Sequence, residues 1–331
     1  MTEQIPDFIT QWIDLAQPRL GAEIVSCSDD SFAECSRMLK PEAPVFIDGK
    51  FDDFGKWMDG WETRRRRNGG YDHAIVKLGL PGEIKGVDID TTHFTGNYPP
   101  SASLEACNCA GAPDDSTEWT TLIESTSLRG DSHHYFSIDN DSCFSHLRLN
   151  IYPDGGIARL RVHGRVVSDA ASLDKSLLHN LAAVELGARA IAWNDAHFGV
   201  AANLLNPGRG INMGDGWETR RRREPGNDWC IVELGQVGEI SEALIDTAHF
   251  KGNYPDRCSL QAALIGAGTV DSIIAQSQFW SELLPPQKME MDSEHGFKDE
   301  IQLLGPVSHV RINIFPDGGL SRVRLLGKID G

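Results

Sequence analysis

Short runs in which apolar and polar residues alternate recur along the chain, each bounded by Gly, Pro, Asp or Asn. In the first half they are AIVKLG from Ala74, IKGVDIDTTHF from Ile84, SLEACNC from Ser103, EWTTLIE from Glu118, HLRLNIY from His146 and ARLRVHG from Ala158. A period of two places apolar side chains on one face of a pleated strand. Six such runs in half the chain predict an all-β sandwich. YPDGG from Tyr152 and FPDGG from Phe315 read as turns, because Pro fixes φ and the glycines accept positive φ. Helical spacing appears mainly near residue 30: Asp29 or Asp30 is a candidate cap, and Phe32, Cys35, Met38 and Leu39 follow at helical intervals.

The pattern occurs twice. DGWETRRRR at Asp59–Arg67 returns unaltered at Asp215–Arg223, and 30 of 48 positions agree without a gap between Asp59–Ala106 and Asp215–Ala262. DTTHFTGNYP from Asp90 is answered by DTAHFKGNYP from Asp246, and HLRLNIYPDGG from His146 by HVRINIFPDGG from His309, after seven extra residues in the second copy. LGAEIVSC from Leu20 matches LGARAIAW from Leu186 at the front. The predicted organisation is an N-terminal segment 1–19, repeat 1 at 20–165, a linker at 166–185 and repeat 2 at 186–331. A period this long marks a tandem pair of whole domains rather than a solenoid. Within the linker, Leu173, Leu177, Leu178 and Leu181 predict a short helix with an apolar side.

Charge narrows the choice of partners. Lys and Arg total 31 against 48 Asp and Glu, a net charge of −17, which opposes nucleic acid and anionic membranes at long range. The arginine runs therefore suit short-range capture of a small anion, since a guanidinium matches a carboxylate with two hydrogen bonds. No apolar run is long enough for a membrane span, and the first residues lack the basic flank and apolar core of a secretory signal. Seven cysteines without any CxxC pair argue against a disulfide framework and a thiolate zinc site, and for reduced thiols in the cytoplasm. No GxSxG, P-loop, GxGxxG or HExxH motif is present.

Two constellations carry candidate chemistry. If WETRRRR is extended, Glu62 shares a face with Arg64 and Arg66, and Glu218 with Arg220 and Arg222, while the remaining arginines point away. Such neighbours hold the glutamate ionised and make it a poor general acid. The second constellation brings Asp90, His93, Asn97 and Tyr98 to one strand end, and Asp246, His249, Asn253 and Tyr254 in the other copy. His93 and His249 are the expected proton-transfer groups, each with an Asp to fix its tautomer. Asp90 and His93 lie on opposite faces of an extended strand, so no metal ligands are assigned.

Together, DGWETRRRR, HFTGNYP with HFKGNYP, and NIYPDGG with NIFPDGG resemble the allantoicase family over nearly the whole chain. The resemblance implies two tandem galactose-binding-like jelly-roll β-sandwich domains and hydrolysis of allantoate to ureidoglycolate and urea, a step of purine degradation. It also implies a homo-oligomer, and some members are associated with divalent manganese (Mn²⁺). Arg64 and Arg66, with Arg220 and Arg222, are the expected clamp for the allantoate carboxylate, and Glu, Asn and Asp oxygens suit its ureido N–H groups. The rival reading is a tandem jelly-roll protein that binds carbohydrate or a small anion without catalysis; it predicts an aromatic platform where these loops offer Arg, His and Asn.

Overall fold

The computed structural model describes residues 5–330; the first four residues of the N-terminal segment and Gly331 lie outside the described residues. The chain divides into two compact units between Val167 and Ser168. In each, one strand of 19 residues serves both layers of a sandwich: Asp72–Asp90 in the first and Asp228–Asp246 in the second.

In the first unit, the N-terminal half of the long strand pairs antiparallel with Glu23–Cys27 and with Cys143–Tyr152. Ser101–Cys107 and Thr120–Ser127 extend this layer. The C-terminal half pairs with His133–Ser137 and Arg159–Val166 instead. Two of the expected strands, AIVKLG and IKGVDIDTTHF, are thus one element, and its regular pairing stops at Asp90. The inward residues Ala74, Val76, Leu78 and Ile84 fall at even positions, but Val87 and Ile89 fall at odd ones. Lys85 causes the switch. His163 pairs with Gly86 and Gly164 with Ile84, which leaves Lys85 as the extra residue of a bulge that swaps the faces. Strand residues such as Leu104, Leu147, Leu149, Leu160 and Val162 complete a core that buries them fully.

Ile13–Asp14 and His179–Asn180 each add an edge strand to their unit, pairing with Arg159–Val166 and Arg322–Ile329. Residues read from sequence as N-terminal segment and linker therefore contribute to the sheets. Phe8, in helix Asp7–Gln11, packs over Gly86, where a Cβ would lie 2.3 Å from its ring. The helix expected after Asp29 is a 3₁₀ turn, Cys35–Leu39. It stops before Pro41, whose ring disfavours helical backbone at Lys40. No helix gathers the linker leucines either: Asp174 accepts hydrogen bonds from Ser176 in a tight turn, Leu177 and Leu178 are exposed and Leu181 is buried.

The second unit repeats this layout, with Arg189–Trp193 and Val307–Phe315 on the N-terminal half of its long strand and Glu294–Phe297 and Arg322–Ile329 on the other half. The connection between Arg257–Ala263 and Ser281–Lys288 is longer here and holds helix Val270–Ser277. Thr269 caps this helix through Ser272 N, and Ile273 seats it against Ile231 and Trp280. Among the described residues, no helix is long and apolar enough to cross a membrane.

Candidate active site

The three duplicated motifs meet at one end of each sandwich. Trp61–Glu62 pairs with Gly156–Ile157, Thr63 N donates to Gly155 O at 3.1 Å, and Gly156 N donates to Asn97 O at 2.7 Å. Arg66 N donates to Asp154 Oδ2 at 2.7 Å. Gly155 permits this convergence: its φ is +142°, and a Cβ there would come within 2.5 Å of Pro99 N. Trp61 anchors the arginine run from inside, fully buried with Nε1 on Asp29 O at 2.8 Å. The same links recur in the second unit through Trp217, Thr219, Gly318, Gly319, Asn253 and Asp317.

Extended pairing stops at Glu62, so the arginines do not alternate as a strand would place them. Arg64 Nε lies 2.9 Å from Asp29 Oδ2. Arg66 binds Asp72 Oδ1 through Nε at 2.9 Å and Nη2 at 2.8 Å. The hydrogen bond to the fully buried Asp72 raises the Arg66 guanidinium above its ordinary value. These are the two arginines expected to clamp an anion, and each is neutralised within its own unit. Arg220 and Arg222 are matched similarly, 3.9 Å from Asp195 and 3.4 Å from Asp228. Arg65 and Arg67 are exposed and make no ion pair among the described residues. They are the functional candidates that the strand reading missed.

A cleft of about 640 Å³ in the first unit is lined by Phe32, Glu62, Arg65, Arg66, Arg67, Asn97, Tyr98 and Asp154. Asn97 Nδ2 donates to Glu62 Oε1 at 2.7 Å. Burial pushes the Glu62 carboxyl above its ordinary value, and the Asn97 bond only partly offsets this. The arginines expected to act on this glutamate are engaged elsewhere, Arg64 with Asp29 and Arg66 with Asp72. In the second unit, Asn253 reaches both Glu218 and the Met213 sulfur, and Glu224 stands 3.8 Å from Arg222. Tyr254 keeps its place in the loop that follows His249.

His93 and His249 lie elsewhere. His93 Nε2 meets Pro44 O at 3.2 Å and His249 Nε2 meets Gly210 O at 2.8 Å, so each ring ties down a neighbouring loop. Both residues adopt positive φ, +70° and +73°, with their amides on Asp131 and Asp292. Asp90 and Asp246 accept hydrogen bonds from Thr92 N and Ala248 N and so cap their own turns. The expected Asp–His pairs are not formed. A close Asp–His contact occurs instead between Asp88 Oδ2 and His133 Nδ1, at 2.7 Å.

Manganese, which the resemblance brings in, prefers octahedral oxygen ligation. The cleft sets Glu62 and Asp154 among guanidinium groups, and Asp154 Oδ2 already accepts from Arg66 N. That donor set does not fit the ion.

A family model described as Allantoicase repeat matches residues 13–167 and 179–330. The chain is 58% identical over 326 residues to a protein of Burkholderia mallei named probable allantoicase 1, covering 98% of this chain and 97% of that one. It is also 58% identical to a probable allantoicase of Pseudomonas fluorescens, covering 96% and 97%. The crystal structure of allantoicase from Saccharomyces cerevisiae superposes with a TM-score of 0.77 at 37% identity, covering 95% of this chain and 92% of that one. Two copies of one jelly-roll unit, with their motifs gathered at corresponding ends, thus have counterparts along almost the full length of these proteins, and the chain belongs to the allantoicase family.

Proposed function

We propose that the chain hydrolyses a carbon–nitrogen bond of allantoate, a linear ureido compound, and that the cleft of the first unit is where it does so. The observation that carries this reading is the placement of Glu62, raised above its ordinary value by burial, among arginines at the meeting point of the three motifs. Allantoate has one carboxylate and two ureido groups on a single carbon. Arg65 and Arg67, left without aspartate partners, bind the carboxylate. Asn97 and Tyr98 contact the ureido oxygens and N–H groups.

Urea is a poor leaving group until its nitrogen is protonated. Glu62 in its protonated form gives that proton, the C–N bond breaks with its electron pair going to urea, and the lone pair of the remaining ureido nitrogen supports the carbon. Water then adds to the same carbon and returns a proton to the Glu62 carboxylate. The products are urea and ureidoglycolate, with no covalent enzyme intermediate. The first unit is favoured because Glu224 and Met213 crowd the matching groups of the second. Action in the cytoplasm accords with seven free cysteines, and assembly as a homo-oligomer belongs to the same reading.

Incubating the protein with allantoate and assaying urea tests the reaction. Stoichiometric urea with ureidoglycolate is expected. Calorimetric binding of allantoate without urea release would replace this reading with that of a binding protein.

A further inference from the structure

At the other end of the strand Ser101–Cys107 from the cleft, the first unit gathers two sulfurs and an imidazole. His146 lies directly opposite Cys107 in the antiparallel ladder. Cys109, two residues on, brings its Sγ to 3.8 Å from Cys107 Sγ and 3.4 Å from His146 Nδ1. All three ligand atoms fall within 4.8 Å of one another. A tetrahedral ion with metal–sulfur and metal–nitrogen distances of about 2.3 and about 2.0 Å sets its ligands about 3.8 Å (S–S) and about 3.5 Å (S–N) apart. The Cys107–Cys109 and Cys109–His146 separations match that spacing, and the sulfurs are much too far apart for a disulfide bond of about 2.05 Å.

We propose that Cys107, Cys109 and His146 form a binding site for one thiophilic divalent ion of the zinc class. Two thiolates and one neutral imidazole are a soft donor set that selects zinc over magnesium or manganese. Cys107 and His146 are buried, whereas Cys109 is partly exposed beside the open residues Ala110 and Gly111. The ion therefore has an entry path and a fourth position for water. Binding releases two thiol protons to solvent, since a coordinated sulfur is a thiolate. Ser145 Oγ accepts from Cys109 N and donates to Cys109 O, each at 3.0 Å, which holds the Cys109 backbone in place; its 2.9 Å contact with His146 Nδ1 is the one the ring gives up when Nδ1 turns its lone pair to the ion.

The second unit serves as an internal control. Ser308 and His309 repeat the serine–histidine contact at 2.9 Å, and Ser308 Oγ again accepts from the backbone two residues beyond the strand, at Ile265 N. Ala263 and Ile265 stand where the first unit has its cysteines. The serine–histidine frame thus belongs to the fold, and only the first unit adds sulfur to it. From Ser101 to Cys107 the strand spans roughly 20 Å, so an ion here pins the sheet end and does not reach the cleft.

The test is a Co²⁺ titration of reduced, metal-stripped protein. One equivalent per chain is expected, with a sulfur-to-cobalt charge-transfer band, tetrahedral visible intensity and displacement by Zn²⁺. Cys107→Ala/Cys109→Ile, which installs the second unit's residues, loses affinity at least tenfold and keeps urea release. His146→Gln loses affinity by a similar factor. Absence of the band in the wild type, an undiminished band in both variants, or a Cys107–Cys109 disulfide that persists in protein purified with zinc and reductant would overturn the proposal.

Discussion

Asn97 donates from Nδ2 to Glu62 Oε1 at 2.7 Å, joining two motifs 35 residues apart. The same asparagine accepts from Gly156 N at 2.7 Å through its carbonyl. One loop residue thereby holds together the arginine segment, the GNYP loop and the PDGG turn, and it partly offsets the rise that burial gives the carboxyl beside it.

The pH dependence of turnover follows from that contact. Burial holds Glu62 above its ordinary value and the Asn97 bond lowers it. As an acid, Glu62 is active while protonated, so the rate falls as pH rises through its folded value. Asn97→Ala removes the lowering contact and moves this alkaline limb to higher pH. Profiles of kcat/KM against pH for the two proteins check it; an unmoved limb, or one displaced to lower pH, rules out Glu62 as the acid.

Stability has the complementary dependence. A carboxyl raised in the folded state contributes stability that is present below its unfolded value and lost as pH rises through the folded value. Glu62→Gln carries no such loss. Differential scanning calorimetry should show this variant melting above the wild type at about pH 8, with the difference gone at about pH 4. The gain in stability accompanies loss of activity, as expected where an active-site group is held at a cost.

Arginines within one run should separate into two classes. Arg65→Lys and Arg67→Lys keep the charge but lose the fork, and each should raise KM about tenfold with kcat nearly unchanged. Arg66→Lys weakens a two-bond contact with buried Asp72 and should cost about 1–3 kcal/mol of stability. Steady-state kinetics and chemical denaturation on the three variants distinguish the classes; equal effects on KM would merge them.

His93 should prove structural. Asn tolerates the left-handed backbone that His93 adopts, so His93→Asn keeps the loop path and gives up the contact with Pro44 O. The variant should retain kcat and lose about 1 kcal/mol of stability. A hundredfold fall in kcat would restore the histidine as a proton-transfer group.

Much of this architecture was legible in the chain. The duplication and its motifs stand in plain text, and the period-two runs mark most of the larger strands. The site was legible as a set of motifs but not as a geometry. Extended pairing ends at Glu62 because Thr63 and Arg66 turn to Gly155 and Asp154, partners some ninety residues away that no local pattern announces. Which arginines remain free depends on Asp29 and Asp72, and neither is marked by its own neighbours. His93 looked catalytic from its residue type and loop setting, whereas positive φ and the Pro44 contact exist only in the fold. Cys107 and Cys109 lacked a recognisable spacing because their third partner, His146, comes from the strand opposite. The two-residue edge strands Ile13–Asp14 and His179–Asn180 are too short to show a period.

The account rests on Glu62 in the first unit, and parallel urea-release kinetics on Glu62→Gln and Glu218→Gln test it most directly. The expected result is a fall in kcat of about a hundredfold or more for Glu62→Gln, with Glu218→Gln close to wild type. Wild-type turnover by Glu62→Gln, with or without loss in Glu218→Gln, would contradict it.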